Sequence, residues 1–136
     1  MSNQNKNSNV KNNKVLIADD DPIIRQMVQS ILEAEGYNVV AAEDGKQAVE
    51  ILQQKEFTGD LAFIVLDVMM PGMTGLDVLT RIKLHSETAT IPVIMLTGEN
   101  KDSDIMSGYE QGADYYITKP FTRQQLIFGI QTALGG

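Results

Sequence analysis

The chain has 136 residues, enough for one domain with a single real core, and 43% of them are hydrophobic, which suits a globular protein. A formal net charge of −7 argues against general nucleic-acid binding, and the lack of cysteine removes any disulfide framework or thiolate metal site. No apolar run is long enough to cross a bilayer and the N-terminus is polar rather than signal-like, so a soluble cytoplasmic domain is expected.

The first thirteen residues, MSNQNKNSNVKNN, are polar, rich in asparagine and without an apolar period. Such a segment buries too little surface to offset the entropy of ordering, and it reads as a flexible tail before a domain over 14–134. KVLIAD then reads as a strand. Asp21 and Pro22 have the form of an N-cap followed by a proline in the first helical turn, with Ile24, Met27, Val28, Ile31 and Leu32 at helical spacing and Gly36 as the stop. NVVAA (38–42) is a second strand, and EDGKQAVEILQQK a short helix with Ala48, Val49 and Leu52 on one face. LAFIVLD (61–67) is a continuous apolar run, the mark of a strand covered on both faces.

VMMPGMTG (68–75) breaks as a loop, and Leu76, Leu79 and Ile82 carry a third helix. IPVIMLT (91–97) is the fourth strand, with Pro92 tolerated at its start. Residues 100–111 form a weaker helix holding Ile105, Met106 and Tyr109, ADYYIT (113–118) is the fifth strand, and Leu126, Ile127 and Ile130 mark a last helix. Five strands alternating with five helices imply a doubly wound parallel sheet with helices on both faces. In such sheets a site forms beyond the carboxyl ends of the strands, where the strand order reverses. That places Asp19 and Asp20 after strand one, Asp67 at the end of strand three, Thr97 at the end of strand four and Lys119 after strand five in one crevice.

VLIADDDP (15–22) poses the chemical question, because carboxylates packed at the end of a buried strand repel one another and resist desolvation. A hard divalent cation answers it. Oxygen ligands without His or Cys suit Mg²⁺, which keeps open positions for phosphate oxygens. Lys119 adds a second positive charge and Thr97 a hydroxyl donor, a set able to stabilise a phosphoryl group passing to a carboxylate nucleophile.

In this order and spacing, VLIADDDP, VLDVMMPGMTG, VIMLTGE and GADYYITKPF resemble the receiver domain of bacterial two-component response regulators, chemotaxis receivers among them. The resemblance runs from Lys14 to the last helix and implies a flavodoxin-like receiver fold with strand order 2-1-3-4-5. It implies Asp67 as phosphoacceptor and Asp19 and Asp20 as the acidic pair that holds Mg²⁺ (Mn²⁺ substituting), Asp20 directly and Asp19 through water. The backbone carbonyl of Met69 would complete the metal site, Thr97 would be the switch hydroxyl and Tyr116 the switch aromatic. Lys119 would pair with the phosphoryl group, its bond to Pro120 being cis. The implied protein is a phosphoacceptor switch rather than an enzyme, though one that assists its own phosphorylation and dephosphorylation. Its donor would be a sensor histidine kinase or phosphotransfer protein, docking near the first helix. A downstream protein target would read the face around Tyr109, Tyr116 and 122–133. No direct nucleic-acid or membrane contact is implied. Because the last helix ends at ALGG without a recognition helix or output motif, a stand-alone receiver is expected.

Blander readings compete. Asp21 reads as a cap rather than a third ligand, Asp44 and Gly45 as a turn opening a helix, Met69, Met70 and Met73 as packing, and His85 as solvent-exposed. A flavodoxin-type cofactor binder would need a Ser/Thr/Gly-rich phosphate loop where three acids stand. A Mg²⁺-dependent phosphatase with an aspartyl nucleophile would need a second acid after Asp67, where VMMPG stands. A phosphorylation-independent interaction module would have no use for the intact set of Asp19, Asp20, Asp67, Thr97 and Lys119.

Overall fold

The apolar runs fold as their alternation requires. In the computed structural model, which describes residues 13–98 and 112–135, β1 (Lys14–Ala18), β2 (Asn38–Ala42), β3 (Leu61–Asp67), β4 (Val93–Thr97) and β5 (Tyr115–Thr118) form one sheet. All four pairings are parallel and the order is β2-β1-β3-β4-β5. Helices α1 (Pro22–Ala34), α2 (Gly45–Leu52), α3 (Lys55–Thr58), α4 (Gly75–Leu84) and α5 (Arg123–Ala133) cover it. The expected helix over 100–111 and the tail over 1–12 lie outside the described residues. Among the described residues no helix is long and apolar enough to cross a membrane.

Strand parity sorts the core into two layers. Val15, Ile17, Phe63, Val65, Ile94, Leu96 and Ile117 pack with Val28 and Leu32 of α1 and Leu126 and Ile130 of α5. Leu16, Ala18, Ile64, Leu66, Val93, Met95 and Tyr116 point the other way and pack with Ala48 of α2 and Val78, Leu79 and Ile82 of α4. A strand covered on both faces needs no polar side, which is why β3 reads as a continuous apolar run.

Side-chain caps set the helix starts. Asp21 Oδ1 accepts from the Ile23 N–H at 2.9 Å with Pro22 next, and Asp44 Oδ1 accepts from the Gln47 N–H at 2.8 Å. Thr74 with Asp77, and Thr122 with Gln125, form reciprocal capping boxes. Both aspartates expected to be caps, Asp21 and Asp44, are caps.

Several boundaries differ from expectation, and the strand read as KVLIAD ends at Ala18. The helix read over 43–55 is α2, Gly45–Leu52, followed by the separate turn α3, which buries Phe57. The strand read from Ile91 begins at Val93, because Pro92 has no N–H to donate to the ladder, although its carbonyl still accepts from the Ile64 N–H at 2.9 Å. The strand read from Ala113 begins at Tyr115, because the Asp114 side chain turns back to accept from the Val93 N–H at 2.8 Å.

Candidate functional site

The strand order reverses between β1 and β3, so the chain leaving β1 and the chain leaving β3 open a crevice between them. Asp19 stands at that opening with no solvent exposure. Its Oδ1 accepts from the Asp21 N–H at 2.9 Å. Arg25 of α1 donates from Nη1 to the Asp19 carbonyl at 2.7 Å, pinning the turn. Asp20 is exposed, and Asp67, at the end of β3, is 5% exposed. Carboxylate oxygens of Asp19, Asp20 and Asp67 all lie within 4.8 Å of one another.

Lys119 reaches in from the end of β5. Its Nζ lies 3.1 Å from Asp19 Oδ2 and 3.2 Å from Asp67 Oδ1, and its peptide bond to Pro120 is cis, as expected. The Lys119 N–H donates to the Thr97 carbonyl at 2.7 Å, which ties the β5 exit to the end of β4. Thr97 is buried, and among the described residues its hydroxyl makes only a long 3.4 Å bond to the Gly98 carbonyl. Thr97 and Tyr116 lie on the same face of the sheet, since Tyr116 pairs with Met95 and Thr97 follows Met95 by two. The Tyr116 ring is buried here.

The electrostatics follow from this packing. Burial first, and then the Asp19 carboxylate, push the Asp67 carboxyl up to about 7, while Lys119 and the Met69 N–H pull it back. Burial alone would lower Lys119, but Asp67 and Asp19 outweigh it and hold the ammonium above its ordinary value. Three carboxylates against one ammonium leave the crevice two negative charges in excess when all are ionised. Asp19 Oδ2 is buried, with the Lys119 ammonium 3.1 Å away. Three clustered acids, an excess of two charges and an all-oxygen donor set fit a hard divalent cation such as Mg²⁺.

Sequence reasoning named Asp19, Asp20, Asp67, Thr97 and Lys119, and the fold brings them together. Met69 donates its N–H to Asp67 Oδ1 at 3.4 Å while its side chain is 58% exposed. Met70 is buried, Met73 packs against the core and His85 is exposed, as read from the sequence, whereas Met69 was read as packing and is exposed. Two supporting residues were missed. A Cβ on Gly75 would clash with the Asp67 carbonyl oxygen, so only glycine lets the first turn of α4 close against the end of β3. Arg25 gave no signal beyond a charge on an otherwise apolar-periodic helix.

Comparison with known proteins agrees with this geometry. A family model for the response regulator receiver domain matches residues 15–131. The transcriptional regulatory protein CpxR of Escherichia coli is 38% identical over 122 residues, covering 90% of this chain and 49% of CpxR. SrrA of Staphylococcus aureus is 34% identical over the same length, covering 90% of this chain and 48% of SrrA. The chain thus spans about half the length of the curated relatives it matches. Among solved structures, the chemotaxis protein CheY4 of Vibrio cholerae superposes with a TM-score of 0.80 at 34% identity, covering 88% of this chain and 97% of that one. The receiver domain of a sensor histidine kinase from Pseudomonas aeruginosa, solved with a magnesium ion coordinated in its active-site cleft, superposes with a TM-score of 0.78 at 25% identity, covering 90% and 98% of the two chains. Sheet order, converging acids and lysine, and these likenesses lead to one assignment: the chain belongs to the response regulator receiver domain family.

Proposed function

We propose that this domain is a phosphorylation switch whose Asp67 accepts a phosphoryl group from the phosphohistidine of a sensor kinase or phosphotransfer protein. The supporting observation is the buried Asp67 carboxylate, 3.2 Å from the Lys119 ammonium and clustered with Asp19 and Asp20. An oxygen of Asp67 attacks phosphorus, the P–N bond breaks, and the imidazole nitrogen takes the departing electron pair. Asp20 and Asp67, with Asp19 behind them and the Met69 carbonyl beside them, are the residues that would hold Mg²⁺. When bound, Mg²⁺ neutralises charge on the phosphoryl oxygens. Lys119 pairs with one of those oxygens, and the Thr97 hydroxyl, weakly engaged at 3.4 Å, is the donor most easily recruited to another.

Recruiting Thr97 links the site to Tyr116 on the same sheet face, and so to the surface of β5 and α5. The coupling expected of such devices is about 1–3 kcal/mol, so phosphorylation shifts populations rather than refolding the domain. Phosphorylation favours the inward position of the ring seen here. A downstream protein reads that surface, the kinase docks nearer α1, and the exchange takes place in the cytoplasm. The domain assists its own phosphorylation and dephosphorylation without turning over an external substrate. An aspartyl phosphatase is disfavoured because Asp67 is followed by Val68, Met69 and Met70, so the segment after the nucleophile offers no carboxyl to act as a proton donor.

Incubation with acetyl phosphate tests this reading. The intact mass should rise by one phosphoryl group with Mg²⁺ or Mn²⁺ and stay unchanged in EDTA. Metal-independent labelling, or none under either condition, would rule it out.

A further inference from the structure

Met69 combines two properties that no other described methionine shares. It is 58% exposed, whereas Met70 and Met95 are 5% and 0% exposed and Met27 and Met73 are partly covered. It also donates its N–H to the Asp67 carboxylate, so it stands at the mouth of the crevice. The chain has no cysteine, so no thiol competes for an oxidant. We propose that Met69 is an oxidation site, at which a hydroperoxide converts the thioether to the sulfoxide and shortens the life of the phosphorylated state.

The step balances with the peroxide as co-reactant. One peroxide oxygen bonds to the Met69 sulfur, the O–O bond breaks, and the other oxygen leaves with the protons as water or an alcohol. The sulfur is oxidised by two electrons and the peroxide is reduced by two. An apolar, flexible side chain thereby becomes a polar one with a strong acceptor oxygen. Before oxidation, the side chain offers water near an Asp67 phosphoryl group only a weak sulfur acceptor. The sulfoxide can orient such a water for attack, so self-dephosphorylation should quicken several-fold.

This inference rests on Asp67 being the phosphoacceptor, and the test separates the two. Protein treated with graded hydrogen peroxide is mapped by peptide mass spectrometry, and the phosphoryl half-life is measured on the same samples. Met69 should oxidise ahead of Met27, Met70, Met73 and Met95, the half-life should fall as it does, and methionine sulfoxide reductase should restore it. The half-life of Met69→Leu should not respond to peroxide, and Met69→Gln, which carries a polar oxygen without oxidation, should be shorter-lived than wild type. Oxidation of Met27 or Met73 as fast as Met69 overturns the inference. So does an unchanged or longer half-life in oxidised wild type, or a response that persists in Met69→Leu. A reduced wild type that forms no acyl phosphate at all overturns the phosphoacceptor reading itself, and the inference with it.

Discussion

Replacing Asp67 with asparagine should stabilise the metal-free protein, although it removes the residue on which the proposed function turns. The folded carboxyl is pushed up to about 7 from an ordinary 3.8, chiefly by burial and then by Asp19, so the folded protein keeps a proton that the unfolded chain has released. Below the unfolded value both states are protonated and Asp67 costs nothing. As pH rises towards the folded value, stability falls by up to about 1.4 kcal/mol per unit, an upper bound of about 4 kcal/mol before local relaxation reduces it. Asparagine keeps the shape, removes the charge and leaves Lys119 its partner Asp19 at 3.1 Å. We expect Asp67→Asn to exceed wild type by roughly 1–4 kcal/mol at pH 8, or about 3 °C in Tm for each kcal/mol, and to converge with it near pH 4. Urea or thermal unfolding in EDTA from pH 4 to 8.5 reads this directly. Mg²⁺ should then stabilise wild type more than the variant. A variant less stable than wild type at pH 8, or an advantage equal at pH 4 and pH 8, would refute the electrostatic reasoning.

Other residues give sharper tests of single links. Asp20→Asn, at the exposed member of the triad, should weaken Mg²⁺ binding at least tenfold by calorimetry while leaving apo stability equal or higher. Gly75→Ala should destabilise by about 2 kcal/mol or more in urea unfolding and slow phosphoryl uptake, since its Cβ would clash with the Asp67 carbonyl oxygen. Thr97→Ala should still take up a phosphoryl group but lose the response around Tyr116. Amide shifts recorded with and without beryllofluoride check this, and a full wild-type pattern there would disconnect Thr97 from Tyr116.

Much of the architecture was legible because each strand announces itself by composition. β2 and β3 occupy the segments read from NVVAA and LAFIVLD, because a buried parallel strand leaves no room for a polar interruption. The caps were legible too, since Asp21 before Pro22 satisfies a local rule that tertiary structure did not override. The turn α3 was not, because four residues are too few to display a helical period, and only Phe57 betrays its burial. At the site, residue types at strand ends located the acids and the lysine. What sequence could not show is how they are held: Gly75 matters through a clash that exists only in three dimensions, and Arg25 through a bond to a backbone carbonyl that carries no sequence mark.

In the proposed switch Asp67 itself receives the phosphoryl group. After phosphorylation with acetyl phosphate and Mg²⁺, borohydride reduction converts an acyl-phosphorylated aspartate to homoserine, which tandem mass spectrometry locates. Homoserine should appear at position 67 in wild type and not in Asp67→Asn. Homoserine at position 19 or 20 instead, or a label that survives unchanged in Asp67→Asn, would contradict it.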